Sequence, residues 1–530
     1  MTRCLPGLGL LLALLATPGC ARRTFFQPDA RVEAAPLPAA TDTVRATAGR
    51  HYQRGVLHRA LFGTHYRRVW ATPISAPVLR LPTAEPGGLQ PGKIGGGFQT
   101  TSMTVKAADG REFALRTLDK DPYKTLPKVM RNTFLLNWVR DVTSAGNPYA
   151  AFVVPPLAEA ADVAHTSPRL YYVRPDESGL GEASERFRGK LVMLESKLEG
   201  EKLRRPDGST YAAVESDDLL EHLYAAPGAR VDQPQLLRAR LLDLWLGDWD
   251  RHEGQWNWEL RGSNPTRYVA LPKDRDQVFF RFDDGLLPWL GSRFVKKFRT
   301  FGPRYQSIEG YTRNARFLDQ RTLNELTRPQ VLAEARRLQQ VLSDEAIERG
   351  LRRLPPEVYR IEGPRLAAAL RRRREALPEA AEKFYRLLAR EVTVPGTDKE
   401  EWFVVDRQSD TATVVSVYAL TEDAEKPDES RLLYRRSFHP RDTRRVLLHG
   451  LGDKDRFELR GRVRRSPRID IYGGPHDDTV QDSSRVAGWG KKTRFYDTVR
   501  NNTYEPGPET RDRRTRGVES HAFDRDGSGR

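Results

Sequence analysis

Cysteine is nearly absent from this chain. Of 530 residues only Cys4 and Cys20 are cysteine, both within the first twenty positions, so the body of the chain has no disulfide framework and must be held by packed cores. Long apolar runs are also missing: after residues 8–16 nothing approaches the roughly 20 residues that a membrane-spanning helix needs. Acidic residues are in deficit, 71 against 88 Lys and Arg, for a net charge of +17. Such an excess suits nucleic acid or an anionic membrane surface. The chain has no zinc finger, no RNP-like strand and no alternation of basic with aromatic residues, which argues against nucleic acid. The densest basic run, residues 371–374, shares its helical segment with Glu375, Glu379 and Glu382 and reads as a solvated helical face.

What is present at the start is Arg3, the apolar run 8–16, then Thr17, Pro18, Gly19 and Cys20, the pattern of an export signal. Gly19-Cys20 resembles a bacterial lipoprotein cleavage site, which implies lipidation of Cys20 and membrane attachment through it; ordinary secretion is the alternative. The expected location is the cell envelope, as an outer-membrane-anchored lipoprotein facing the periplasm or the cell surface. Outer-membrane proteins or anionic lipids are the expected partners.

Two acidic clusters carry the chemistry. The first, Gly247-Asp248-Trp249-Asp250-Arg251-His252-Glu253-Gly254-Gln255, follows a helix signal with Leu237, Leu241 and Leu244 on one face, stopped by Gly247. The second, Lys273-Asp274-Arg275-Asp276-Gln277, follows a short strand, residues 268–271. Acidic loops at the ends of two elements can supply hard oxygen ligands and a carboxylate base to one site. Two other readings stand beside this one: a hydrogen-bonded loop network without chemistry, and a hydrolase in which Asp248, Asp250 and His252 bind a metal.

Upstream, Gly95, Gly96 and Gly97 precede strand-like residues 102–106, a turn at Asp109-Gly110 and a returning strand at 112–117. Glycines let backbone amides approach an anion closely, although a flexible surface turn has the same composition. Arg116 lies on the returning strand and Lys120 just beyond it. A helix at 129–143 has an apolar side but no Glu, so Glu159 is the nearest acid to pair with a phosphate-binding cation. Residues 191–195 read as a buried strand ending in Glu195.

The order of helix, acidic loop, strand and acidic loop resembles the catalytic core of the atypical kinases: HipA-type toxin kinases, type II phosphatidylinositol 4-kinases and the secreted casein kinases of the Golgi. The resemblance implies a catalytic Asp250, with Asp248 and His252 beside it. It implies Asp274, or its competitor Asp276, as metal ligand, with Gln255 where those families often have Asn. It further implies ATP and Mg2+ or Mn2+ as cofactors, phosphates held by Gly95 to Gly97 with Arg116 or Lys120, and Glu195 in the segment that meets the base. From about residue 52 to 497 the chain is also similar to the periplasmic region of bacterial envelope proteins, some of which carry a metallophosphoesterase or a BamA-like barrel.

The expected fold class is α+β: a two-lobed, atypical protein-kinase-like fold followed by a β-rich, sandwich-like C-terminal domain. The expected order is a signal at 1–20, a linker and helical extension at 21–90, an N-lobe at 91–200, a helical C-lobe at 201–391, a β domain at 392–500 and a polar, disordered tail at 501–530. Within the β domain, Gly450-Leu451-Gly452-Asp453-Lys454-Asp455 and Gly473-Gly474-Pro475-His476-Asp477-Asp478 start 23 positions apart. They resemble single turns of the RTX calcium repeats, which implies Asp453, Asp455, Asp477 and Asp478 as candidate calcium ligands; metal-free turns of a sandwich fit the same spacing. Two functions follow: phosphoryl or nucleotidyl transfer from a nucleotide, or an inactive pseudokinase-like scaffold that binds a protein, glycan or lipid.

Overall fold

Alternating burial along strands Ser102–Ala107 and Glu112–Thr117 places Met103, Val105, Phe113 and Leu115 inside. The same period of two organises the whole first sheet. A computed structural model describes residues 24–95, 101–204, 208–263, 265–421, 425–499, 502–516 and 523–527. Its first sheet is antiparallel, in the order Leu89–Gly95, Ser102–Ala107, Glu112–Thr117, Leu191–Ser196, Arg169–Tyr172. A second five-stranded sheet runs Ala229–Val231, Thr266–Pro272, Trp256–Arg261, Thr210–Glu215, Gly200–Arg204. Strand Trp256–Arg261 lies between the two acidic loops, so the loops are joined by an antiparallel hairpin rather than by one strand.

Helix Gln233–Leu246 is the centre of the helical lobe. Asp232 caps its first turn by accepting from Gln235 N at 3.2 Å. Apolar residues surround it on nearly every side, as expected of a helix buried all round. Helices Arg328–Val341, Pro356–Glu375 and Leu377–Ala389 pack on it. Gly247 ends it with φ 73°, a conformation open to glycine without strain. Arg373 completes that end, donating Nε to Trp245 O at 2.7 Å and Nη2 to Leu244 O at 2.5 Å. It is wholly buried against Tyr305 and Phe301, so one member of the basic run expected on a solvated face instead satisfies terminal helix carbonyls.

The residues before the first sheet fold onto these lobes. Arg67 forms a two-pronged ion pair with Asp141 at 2.8 and 2.6 Å, and Tyr66 donates to Phe279 O at 2.5 Å.

The C-terminal domain has two main sheets facing one apolar core, including Phe403, Leu459, Ile471 and Phe495, and a short parallel pair, Arg462–Val463 with Arg485–Val486; the fold class is α+β with a sandwich-like C-terminal part. Its strands are mostly parallel. Strands Glu391–Pro395, Arg445–His449, Arg468–Tyr472, Thr493–Tyr496 and Thr510–Asp512 stack in one sheet. Strands Glu401–Ser409, Arg456–Arg460, Thr479–Asp482 and Thr503–Glu505 stack in the other, extended by the antiparallel pair Ala412–Ala419 and Leu432–Phe438. The chain therefore coils, visiting both main sheets in each rung. His449, Tyr472 and Tyr496 stack on successive rungs at 4.5 and 4.8 Å.

The two glycine–acid loops are consecutive turns of this coil. Asp455 N donates to Asp478 Oδ1 at 2.8 Å across 23 positions, and Glu401 N donates to Asp455 Oδ1 at 2.8 Å. Gly473 is required because a Cβ there would stand 2.0 Å from Asp497 Oδ2 and 2.1 Å from Asp478 Oδ2. Burial pushes the Asp478 carboxyl up to about 8 and that of Glu401 up to about 7, and raises Asp455 well above its ordinary value. Among the described residues no three His, Cys, Asp or Glu side chains gather as a metal-binding group. Asp455 and Asp478 accept backbone amides from neighbouring rungs, while Asp477 is exposed and Asp453 half-buried.

Candidate functional site

The two lobes enclose a cleft of about 600 Å³ whose wall includes Arg116, Lys120, Asp250, His252, Asp274 and Asp276. Its ceiling is the first sheet. Arg116, on strand Glu112–Thr117, directs Nη1 to Asp274 Oδ1 at 2.7 Å and lies 3.4 Å from Glu195 Oε2. Lys120, three positions past that strand, hydrogen-bonds Asp276 through its amine. Glu195, on strand Leu191–Ser196, also accepts from the Thr166 hydroxyl; burial pushes its carboxyl up against the pull of Arg116. Glu159 is exposed on helix Ala150–Ala160. The acid paired with the strand cation is thus Glu195, supplied by a neighbouring strand rather than by the expected helical segment.

The floor is the pair of acidic loops. Asp274 opens the second loop with φ 59°, a left-handed conformation costly outside glycine and eased in Asp by local hydrogen bonding. Burial would raise its carboxyl, but Arg116, Lys120 and Arg251 outweigh burial and hold it below the ordinary value. Asp276 also accepts from Gln277 Nε2 at 2.7 Å.

In the first loop Asp250 is half-buried, and Asn314 Nδ2 donates to its Oδ1 at 2.7 Å. Lys297 Nζ stands 3.2 Å from Asn314 Oδ1 and 4.9 Å from the Trp249 ring centre. Asp248 lies beneath, 1 % exposed, with Oδ1 accepting from Asp250 N at 3.2 Å. Its Oδ2 has no hydrogen-bond partner among the described residues. Burial pushes Asp248 up to about 7, opposed by Arg251. His252 accepts from Gly254 N at 3.1 Å and lies 3.4 Å from Gln255 Nε2.

Arg251 fastens the floor together. Its guanidinium donates to Lys273 O at 2.8 Å and to Gln255 O at 2.9 Å, bridging the two acidic loops. It also meets Asp243 at 3.3 Å and lies 4.5 Å over the Trp256 ring. Asp243, wholly buried on helix Gln233–Leu246, additionally pairs with Arg240 and Arg275 at 3.1 and 3.0 Å. A hydrogen-bonded loop network therefore exists beneath the cleft, while Asp250, Asp274 and Asp276 line the cleft itself.

Gly95 ends strand Leu89–Gly95 and is exposed; Gly96, Gly97 and Cys20 lie outside the described residues. Sequence reasoning missed Asn314, Lys297, Asp243 and Arg373. Lys297 and Asn314 reach Asp250 from a segment without a recognisable motif, whereas Asp243 was visible as a lone acid in an apolar helix.

The donor set can be tested against a metal. Mg2+ is commonly held by one or two carboxylates together with substrate phosphates and water rather than by an all-protein cage. Asp274 and Asp276 supply such carboxylates, and Gln255 Oε1 is buried without a hydrogen-bond partner among the described residues. These oxygens fit a hard cation.

Known proteins offer distant likenesses. The Helicobacter pylori proinflammatory kinase CtkA is similar at 12 % identity, over 56 % of this chain and 94 % of that one, with a TM-score of 0.29. HipA, in a Shewanella oneidensis MR-1 toxin–antitoxin complex with HipB and operator DNA, is similar at 12 % identity over 66 % and 76 %, TM-score 0.27. A Golgi casein kinase with Mn/ADP bound is similar at 12 % identity over 55 % and 72 %, TM-score 0.29. No protein-family model and no curated sequence matches the chain. Likenesses at these scores assign no residue a role.

Proposed function

We propose that the cleft is the phosphoryl- or nucleotidyl-transfer site of an atypical kinase-like enzyme. The supporting observation is that one cleft gathers two cations from the sheet side and three carboxylates from the loops opposite. Cations facing hard oxygen donors suit a nucleotide's phosphates, whose transfer depends on positioning and electrostatic stabilisation. Arg116 and Lys120 would exchange Asp274 and Asp276 for phosphate oxygens. Asp274, Asp276 and Gln255 would hold Mg2+ or Mn2+, which when bound neutralises charge on the phosphates.

Asn314 donates to one oxygen of Asp250, and the other would accept the proton of an acceptor hydroxyl. As that proton moves to Asp250, the acceptor oxygen bonds to phosphorus and the bond from phosphorus to the departing phosphate oxygen breaks. Asp248 and His252 act on Asp250 by shaping its loop. Around this site the chain is proposed to be an exported lipoprotein of the cell envelope, anchored at Cys20.

The Arg116–Asp274 and Lys120–Asp276 ion pairs favour a second reading, a pseudokinase-like scaffold whose cleft is closed by its own charges. Calorimetric titration with ATP and other nucleotides, with and without Mg2+ or Mn2+, separates the two. The enzyme reading expects metal-dependent binding that is lost in Asp274→Ala, and an Asp250→Ala variant that binds nucleotide without turnover. Silence toward every nucleotide would sink that reading and leave the scaffold.

A further inference from the structure

Helix Val56–Phe62 contains no buried residue although five of its seven positions are apolar. It packs against a second short helix, Leu286–Ser292. Together they leave Val56, Leu57, Leu286, Trp289 and Leu290 exposed, with Leu57 at 74 % and the following Phe294 at 86 %. Scattered exposed apolar residues are ordinary, but an apolar cluster spanning two touching helices marks a surface with a partner.

The charge around this face identifies the partner. Neither helix contains Asp or Glu, and although Arg45, Arg54, Arg67, Arg80, Lys296 and Arg299 of the flanking segments pair with acids from elsewhere, the arginines beside the apolar residues do not. Arg59 and Arg293, one beside each apolar group, form no ion pair among the described residues; Arg293 lies 4.6 Å over the Trp289 ring. Trp, Leu and Phe on one side with Arg and Lys around them is the composition of helices that lie in the headgroup layer of a bilayer. A protein partner would equally accept the apolar residues; the unpaired Arg59 and Arg293 beside both apolar groups favour an anionic surface.

The chain's own path agrees. Phe25, five positions after Cys20, packs edge-on to His51 and Tyr52 and lies beneath the Arg54 guanidinium. Arg54 is two residues before helix Val56–Phe62. Five residues span at most roughly 17 Å, so Cys20 lies within that reach of Phe25.

We propose that helices Val56–Phe62 and Leu286–Ser292, with Phe294, form an interfacial docking face for an anionic lipid bilayer. Such a face would add a contact from the folded chain to any lipid anchor at Cys20. The segment continues from Phe294 to Phe298, which lines the cleft wall. None of this depends on transferase chemistry.

The test is flotation with vesicles of phosphatidylglycerol and phosphatidylcholine, using the chain from residue 20 onward with Cys20→Ser, so that neither an acyl group nor the apolar run 8–16 contributes. The expected result is co-flotation that is weaker on pure phosphatidylcholine, falls at least tenfold in Leu57→Asp/Phe294→Asp, and loses its preference for anionic lipid in Arg59→Glu/Arg293→Glu. An unchanged thermal midpoint and an unchanged nucleotide titration keep loss of docking distinct from loss of fold or of the cleft. Absence of flotation on anionic vesicles, or flotation of Leu57→Asp/Phe294→Asp equal to the parent chain, overturns the proposal. A dimer that Leu57→Asp/Phe294→Asp converts to monomer, without vesicle binding by the parent, overturns it in favour of a second copy of the chain.

Discussion

Arg116 Nη1 donates to Asp274 Oδ1 at 2.7 Å, tying the sheet above the cleft to the acidic loop below it. Removing the guanidinium leaves Asp274 without its principal counter-charge in a half-buried site. Arg116→Ala should cost about 1 to 3 kcal/mol in urea unfolding. The loss should be larger at pH 7 than at a pH well below the ordinary carboxyl value of 3.8. A carboxylate held below its ordinary value contributes stability above that value and loses it as pH falls through the lowered one.

Arg251 is wholly buried and serves three partners in two loops and a helix. Arg251→Ala should destabilise by about 3 to 5 kcal/mol, the usual result of removing one side of a buried charge network. Arg251→Lys should recover little of it, because an ammonium cannot span both carbonyls in a fixed plane. Denaturant midpoints of the two variants provide the comparison.

Asp248 gives the lobes a pH dependence of the opposite sign to that of Asp274. With its carboxyl raised to about 7, the folded chain keeps a proton that the unfolded chain releases near pH 4. This contribution is therefore complete at low pH, declines as pH rises from about 4 to about 7, and is flat above. Asp248→Asn should flatten that part of the thermal midpoint against pH and equal or exceed the parent chain at pH 8.

The carboxylates of the C-terminal coil should behave in the same direction over a wider window. Asp478 at about 8 and Glu401 at about 7 both hold protons in the folded state. The coil should lose stability as pH rises from about 4 to about 8. Asp478→Asn should remove the upper part of that slope, read by differential scanning calorimetry.

Much of the site was legible because its elements are local. The Leu237, Leu241 and Leu244 stripe with Gly247 marked the helix and its end, and the turn at Asp109-Gly110 marked the hairpin that carries Arg116. What was not legible depends on contacts distant in sequence. Glu195 pairs with Arg116 across 79 positions, and Arg373 reaches Trp245 O across 128; neither leaves a periodic trace. The coil was half visible. Its turns repeat glycine and acid 23 positions apart, but Glu401 precedes Asp455 by 54 positions because the antiparallel pair Ala412–Ala419 and Leu432–Phe438 interrupts the first rung. Strand residues between the turns need only be apolar inside, so they repeat no letters.

In its middle the coil closes one rung every 23 or 24 residues and so converts sequence length into height, roughly 4.8 Å per rung. Duplicating one rung, the 24 residues from Ile469 to Lys492, would raise the outer edge of the domain by that step while presenting the same apolar lining and the same His449–Tyr472–Tyr496 file to its neighbours. The distance between the cleft and anything gripped at the far end of the coil is in this sense quantised.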